Sequence, residues 1–262
     1  MLSARTIYGE IFDNDQAFGL FCSIAASGET QGGWENGRIA ALVPGSQADL
    51  APKIARHGAD EDKHGRIFAA LLRKRGLGPV AVPPGADYTM GLEAAGIGLA
   101  HARLRREDQL TGAGIVTYLA HSRVTEQRAS EQMRALRRHA GDRPDIARAV
   151  RVISDDEDNH LAYCHEELLG LAAAGHGEVI RATLRTTALA EITIYRDVSL
   201  AVMRHLGRIL GWRRPKAAVL AAGIRGVYAY ERLGGWRRMV SLRMPARCNA
   251  LGGPVPAQPS HA

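Results

Sequence analysis

Two segments of the chain share one short pattern: HGADEDKHGRIF at residues 57–68 and ISDDEDNHLAY at residues 153–163. In each, a glutamate is followed three positions later by a histidine, and the two pairs are Glu61 with His64 and Glu157 with His160. Residues three apart on a helix lie on the same face. Each pair can therefore offer a carboxylate and an imidazole to one metal ion, and such ligands suit iron or manganese better than a metal that prefers thiolates.

Each segment has a further glutamate upstream at nearly the same distance. Glu29 in SGETQGG precedes Glu61 by 32 positions, and Glu126 in RVTEQRA precedes Glu157 by 31. Antiparallel helices that leave and return to one level need hairpins of comparable length, because each residue adds about 1.5 Å. The spacing predicts four carboxylates at one height, with Glu29 and Glu126 as the bridging ligands. Glu35 is the alternative first-helix ligand, but it lies six residues from Glu29 and on a different face.

The composition and the helix-breaking residues predict an all-α protein. Ala, Leu and Arg dominate the long segments, and Pro52 and Gly76 stand where a helix should begin and end. Helices are expected at 12–43, 52–75, 87–107, 111–139, 144–174, 178–210 and 215–239. We expect a metal-binding bundle at 1–175, a basic helical extension packed on or beside it at 176–245, and a disordered tail rich in Pro, Gly and Ala at 246–262.

The arrangement of glutamates and histidines resembles the ferritin-like superfamily, whose four-helix bundle carries one Glu from each of two helices and Glu-x-x-His from each of the others. The sequence Gly-Glu-Thr-Gln around Glu29 is similar to the Gly-Glu-Ser-Gln of rubrerythrin-type proteins. The resemblance covers roughly residues 12–172 and includes a long crossover at about 76–111. It implies two iron ions, with manganese or a mixed pair as alternatives. The implied ligands are Glu29, Glu61, His64, Glu126, Glu157 and His160.

The resemblance also implies a function. The first hypothesis is an O2-dependent di-iron oxidoreductase, an oxygenase or oxidase acting on an unidentified small organic molecule. The alternative is a ferroxidase, peroxidase or iron-handling protein that uses dioxygen or peroxide without an organic substrate. The chain lacks the rubredoxin cysteine pairs, so electrons would come from an external donor protein or from the substrate. A third hypothesis is a nucleic-acid-binding module in which the metals serve only stability.

The positive charge of the chain is concentrated near its C-terminal end. Between Arg181 and Arg247 there are fourteen basic and three acidic residues. Such a region can meet anionic lipid, nucleic acid or an acidic protein, although a solvated arginine-rich surface is an equal alternative. The sequence shows no transmembrane segment, signal peptide or disulfide framework. A cytoplasmic protein is expected, with peripheral membrane association and a homodimer left open.

Several residues near the proposed ligands have more than one interpretation. His57 is one turn before Glu61 and is either an extra ligand or, as histidines in such places more often are, a polar core or surface residue. Asp60 and Asp156 are candidates to orient the metal-binding histidines, but the sequence cannot choose between them. The remaining residues, Cys22, Cys164, Tyr118 and Tyr163, are interpreted first as side chains that pack in the core. For the two tyrosines, the alternative is a redox-active role near the metals.

Overall fold

The computed structural model describes residues 3–141 and 143–242, and within these ranges every regular element is helical. This confirms the all-α class. The predicted tail at 246–262 lies outside the described residues. The helices are α1 (Ala4–Asp13), α2 (Asp15–Ala41), α3 (Leu50–Lys74), α4 (Tyr88–Ala94), α5 (His101–Leu104), α6 (Gly112–His139), α7 (Pro144–Leu171), α8 (Gly177–Ile209), α9 (Arg214–Tyr230) and α10 (Arg237–Val240).

The first predicted helix, at 12–43, corresponds to α2, which begins at Asp15; a separate helix that the sequence did not predict, α1, precedes it. Asn14 leaves the helical region, with φ −112° and ψ 119°, and so ends α1. Its side-chain oxygen accepts a hydrogen bond of 2.9 Å from the backbone N–H of Ala17 and so caps α2. The expected start of the helix was therefore wrong, because one residue serves as the end of one helix and the cap of the next.

The crossover between α3 and α6 also differs from the expected helix at 87–107. Asp87 caps a helix as predicted, since its carboxylate accepts from the N–H of Met90 at 2.9 Å. That helix, α4, ends at Ala94. Gly96 and Gly98 follow with φ of +68° and +87°, a conformation that favours glycine, and so the crossover contains two short helices instead of one.

Close packing of α2 along α3 requires glycine at two positions, Gly33 in α2 and Gly58 in α3. A Cβ atom on Gly58 would lie 3.0 Å from the carbonyl oxygen of Gly33, and one on Gly33 would lie 2.4 Å from an oxygen of Asp62. The glycines weaken the helices intrinsically. They also let the two backbones approach far enough for side chains near Glu29 and Glu61 to meet.

Two apolar clusters lie at opposite ends of the four long helices α2, α3, α6 and α7. In α3, for example, Ile54 belongs to one cluster and Phe68 to the other, with Glu61 between them. In α7, Ile153 and Leu168 lie in opposite clusters on either side of Glu157. All four helices therefore pass through a polar layer between two apolar regions.

The C-terminal helices pack on this arrangement through α8, which contacts α6 and is contacted by α9. A buried ion cluster joins them. Arg128 of α6 donates to both carboxylate oxygens of Glu191 in α8, at 2.8 and 2.9 Å, and to both oxygens of Glu231, at 2.9 Å. All three residues are buried. In the described part of the chain, no helix is both long enough and apolar enough to span a membrane.

Replacing Arg128 with methionine should strongly destabilise the fold. Glu191 would lose its cation and Glu231 would keep only Arg238, and breaking a buried pair in this way costs about 3–5 kcal/mol. Urea unfolding of the two proteins measures the difference. Arg137→Met removes an exposed arginine from the same helix and should change the free energy of unfolding by no more than about 0.5 kcal/mol. Equal effects of the two substitutions would show that the buried cluster does not hold the extension to α6.

Candidate metal centre

The polar layer brings together all six predicted ligands, together with His57. Glu29 comes from α2, Glu126 from α6, and the remaining residues from α3 and α7. Glu29 is partly buried and the other six are buried. The side chains form two groups, in each of which one ligand atom per residue lies within 4.8 Å of all the others, and Glu61 belongs to both.

The first group contains Glu29, Glu61, His64 and Glu157. Nδ1 of His64 lies 3.2 Å from Oε2 of Glu29 and 3.6 Å from Oε1 of Glu157. These atoms surround one space with three carboxylates and one imidazole. Such a set is rich in hard oxygen ligands.

The second group contains His57, Glu61, Glu126 and His160. Nε2 of His57 lies 3.0 Å from Oε1 of Glu61 and 3.2 Å from Oε1 of Glu126. Nδ1 of His160 lies 3.5 Å from Oε2 of Glu126. The rings of the two histidines are stacked, with their centroids 3.8 Å apart. This space is bounded by two carboxylates and two imidazoles.

The spacing of these atoms fits bound cations. In zinc sites, bonds to nitrogen or carboxylate oxygen are about 2.0–2.2 Å, so ligand atoms on opposite sides of an ion stand at most about 4.4 Å apart, and the separations of 3.0–3.6 Å given above lie within that distance. His160 adds a second observation: both of its ring nitrogens are buried and neither makes a hydrogen bond. A buried polar group without a partner is costly, and a cation between His160 and the carboxylates would remove that cost.

The grouping of the ligand atoms adds detail to the sequence-based expectation. Glu29 and Glu126, the expected bridging ligands, each belong to one group, and Glu61 belongs to both. Glu157 groups with His64, and its Oε2 also lies 3.9 Å from Nδ1 of His160, its expected partner. The Glu-x-x-His spacing places two side chains on one face, and the neighbouring helices determine which group each one joins.

Glu35, the alternative first-helix ligand, lies elsewhere. Its Oε1 is 2.7 Å from Nε2 of His101 in α5, and it belongs to neither group. Its position agrees with the expectation that residues six apart point to different faces.

His57 is the residue that sequence reasoning undervalued. It lies four positions before Glu61, so that both side chains project from one face of α3. That spacing was visible, but an isolated histidine on a helix is usually an ordinary polar residue. The approach of Glu126 from α6, which places His57 inside the cluster, cannot be deduced from α3 alone.

In the absence of a bound cation, protons balance the charge of the cluster. Burial alone would lower the pKa of His57, but the charges of Glu126 and Glu61 outweigh it and raise the pKa to about 10. Burial and the charge of Glu61 raise the pKa of Glu29 well above its usual value. Burial and the charge of Glu126 do the same for Glu157. The imidazolium of His57 thus takes the place of a cation.

A second layer of acidic residues orients the histidines. Oδ2 of Asp156 lies 3.0 Å from Nε2 of His64, and Oδ2 of Asp60 lies 3.6 Å from Nε2 of His160. Each aspartate therefore faces the histidine of the opposite helix. Lys63 connects them, with Nζ 2.6 Å from Asp60 and 2.7 Å from Asp156.

The two tyrosines and the two cysteines complete the surroundings. Tyr163 lies beside His57, with its hydroxyl 2.8 Å from Nδ1 of the ring, and Tyr118 lies next in line. Cys22 and Cys164 are buried, each within one of the apolar clusters. Burial raises the pKa of both thiols, which therefore remain protonated at neutral pH.

No protein-family model, curated protein or solved structure matches this chain. The functional argument therefore depends on the geometry of the centre.

Glu157→Gln should stabilise the protein when metals are removed by a chelator. The folded pKa of Glu157 is raised, so its ionisation opposes folding above the unfolded pKa, by about 1.4 kcal/mol for each unit of elevation. The variant should unfold in more urea than the wild type at pH 8, and the difference should shrink as the pH falls toward about 4.5, where the carboxyl is protonated in both states.

Glu166→Gln is the matched control, because Glu166 is exposed on the same helix. It should change the urea midpoint little at either pH. A Glu157→Gln variant that is less stable than the wild type at pH 8 without metal would contradict the assignment of a repulsive carboxylate cluster.

Proposed function

We propose that this protein is a ferritin-like non-haem di-iron oxidoreductase, and that it uses dioxygen to oxidise a small organic substrate. The observation that carries the proposal is the convergence of four carboxylates and three imidazoles, from four helices, around two adjacent spaces that share Glu61. Four buried carboxylates are tolerable when cations lie among them. A shared carboxylate is the ligand expected between two neighbouring ions.

The ferritin-like part of the proposal is supported by connectivity. Helices α2 and α3 form one pair, α6 and α7 form the other, and the long segment from Arg75 to Thr111 joins the pairs. One glutamate comes from the first helix of each pair and a Glu-x-x-His from the second. This is the ligand order of the superfamily that the sequence resembles.

The residues of the centre have separate tasks in this function. Glu29, Glu126 and Glu157 balance the charge of the metals, Glu61 connects the two positions, and the apolar clusters on either side exclude water. Two iron ions held there would supply the electron transfer to dioxygen or peroxide. Iron accommodates both the carboxylate-rich group and the group with two imidazoles, whereas manganese prefers oxygen ligands.

The C-terminal extension favours an organic substrate. The end of α8, the start of α2 and the crossover line an open pocket of about 610 Å³, whose walls include Leu20, Leu77, Val80, His205 and Ile209. That volume and its mixed lining suit a small organic molecule. Leu20 precedes Glu29 by nine residues on the same helix, so the pocket lies about 13 Å from the centre along α2.

Anaerobic loading with Fe(II) tests the di-metal assignment. The wild type should bind two iron ions per chain. Glu61→Ala should bind neither ion tightly, because Glu61 belongs to both groups, and Glu157→Ala should lose tight binding of at least one. Glu166→Ala should bind as the wild type does. Iron analysis, with circular dichroism to show that the helices are intact, measures the outcome; unchanged uptake in Glu61→Ala and Glu157→Ala would refute the assignment.

Oxygen consumption by the iron-loaded protein distinguishes the two forms of the function. We expect slow consumption until an organic substrate is added, with iron remaining at two per chain. Rapid consumption during addition of excess Fe(II), with iron accumulating far beyond two per chain, would replace the organic-substrate proposal by a ferroxidase or storage function. An oxygen electrode and iron analysis give both quantities.

A further inference from the structure

We propose that His57 is a seventh ligand of the centre, that it binds through Nε2, and that a chain of buried hydroxyl groups fixes the tautomer this requires. The inference rests on the di-metal function proposed above. It makes the two metal positions chemically different, since one has a single imidazole and the other has two.

The chain of hydrogen bonds begins at Asn36 of α2. The hydroxyl of Tyr118 donates to Oδ1 of Asn36 at 2.8 Å. A phenol has only one proton, so the bond of 2.6 Å between the two tyrosine hydroxyls must be donated by Tyr163 to Tyr118. The proton of Tyr163 is then used, and its hydroxyl can only accept from any further partner.

That further partner is Nδ1 of His57, 2.8 Å from the hydroxyl of Tyr163. Because Tyr163 can only accept, Nδ1 must carry a proton and donate it. A neutral imidazole has one N–H and one lone pair. Once the imidazolium of His57 releases its second proton, the lone pair of the neutral ring is therefore on Nε2, and Nε2 faces Oε1 of Glu61 and Oε1 of Glu126 at 3.0 and 3.2 Å.

The other two histidines have the opposite orientation. His64 directs Nε2 outward to Asp156 at 3.0 Å and Nδ1 inward to the carboxylates. His160 likewise directs Nδ1 inward and Nε2 toward Asp60. The outward partner of these two is a carboxylate, whereas the outward partner of His57 is a phenol. A phenol therefore orients His57, whereas carboxylates face the two histidines of the Glu-x-x-His pairs.

The two positions should consequently differ in metal preference. Imidazole ligands suit iron, cobalt and zinc, whereas carboxylates suit manganese and magnesium. The position of His57 and His160 should therefore discriminate against Mn(II) more strongly than the position of His64 does.

Nitrogen-15 NMR of the Zn(II)-loaded full-length protein, labelled at histidine, tests the binding mode directly. His57 should show a protonated Nδ1 and a zinc-bound Nε2. His64 and His160 should show the reverse, a protonated Nε2 and a zinc-bound Nδ1, and so provide an internal control. A protonated Nε2 on His57 in the protein with two zinc ions would overturn the inference.

Equilibrium titration with Co(II) under anaerobic conditions tests the contribution to affinity. The wild type should bind two ions. Tyr163→Phe removes the acceptor that orients His57 and should weaken one of the two binding steps by about 10–100-fold, the usual effect of losing such a partner. His57→Ala should weaken that same step at least as much and leave the other nearly unchanged.

His101→Ala is the matched control, because it removes a buried imidazole that is bonded to a carboxylate outside the centre. It should bind two cobalt ions with wild-type affinities. If the wild type binds fewer than two ions, the di-metal function itself fails. If the wild type binds two and both His57→Ala and Tyr163→Phe retain its affinities, only the role of His57 is refuted. Should His57→Ala fail to fold, Tyr163→Phe and the NMR measurement still decide.

Discussion

Repulsion among four buried carboxylates is the constraint on which the centre depends. Glu29, Glu61, Glu126 and Glu157 meet between two apolar clusters, where water cannot screen them. The layer is therefore the least stable part of the core unless protons or cations enter it. Its geometry is maintained from outside: the apolar clusters fix the helices on both sides, and the glycines of α2 bring that helix close to α3. Stability is supplied by the ends of the helices, and the strain of like charge is confined to the middle.

Sequence reasoning could predict the ligand types because helical periodicity is local. The three-residue spacing of Glu61 and His64 and the matched hairpin lengths were sufficient to place six residues in one layer. The spacing could not show how the layer divides, because the packing of the helices against one another determines that Glu157 joins His64. The same limit applies to Asp156, which orients a histidine on another helix, and to His57, whose position depends on the approach of Glu126.

The helix boundaries also show which features follow from local sequence and which depend on tertiary packing. Residues whose signals act within one turn, such as Asp87 and Thr111, are caps as their types suggest. Asn14 is also a local signal, and it ends α1, a helix that the sequence analysis did not predict. In the crossover, Gly96 and Gly98 were visible in the sequence. Gly96 adopts the left-handed conformation at the end of α4, where its N–H donates to the carbonyl oxygen of Glu93, so it divides the expected helix through a local cap.

Helix α6 shows two ways of burying carboxylates, and the contrast explains why the centre points to metal binding. Arg128 holds Glu191 and Glu231 with a permanent cation, through four charge-assisted hydrogen bonds. Two residues earlier, Glu126 enters a layer in which, among the described residues, the four glutamates have no lysine or arginine within ion-pair distance. Lys63 stops at the outer aspartates. The positive charge available inside the layer is the titratable imidazole of His57, which can leave Nε2 free by releasing a proton. A buried carboxylate cluster whose positive charge is a titratable imidazole can exchange protons for metal ions. A buried carboxylate cluster whose positive charge is an arginine has only a structural role.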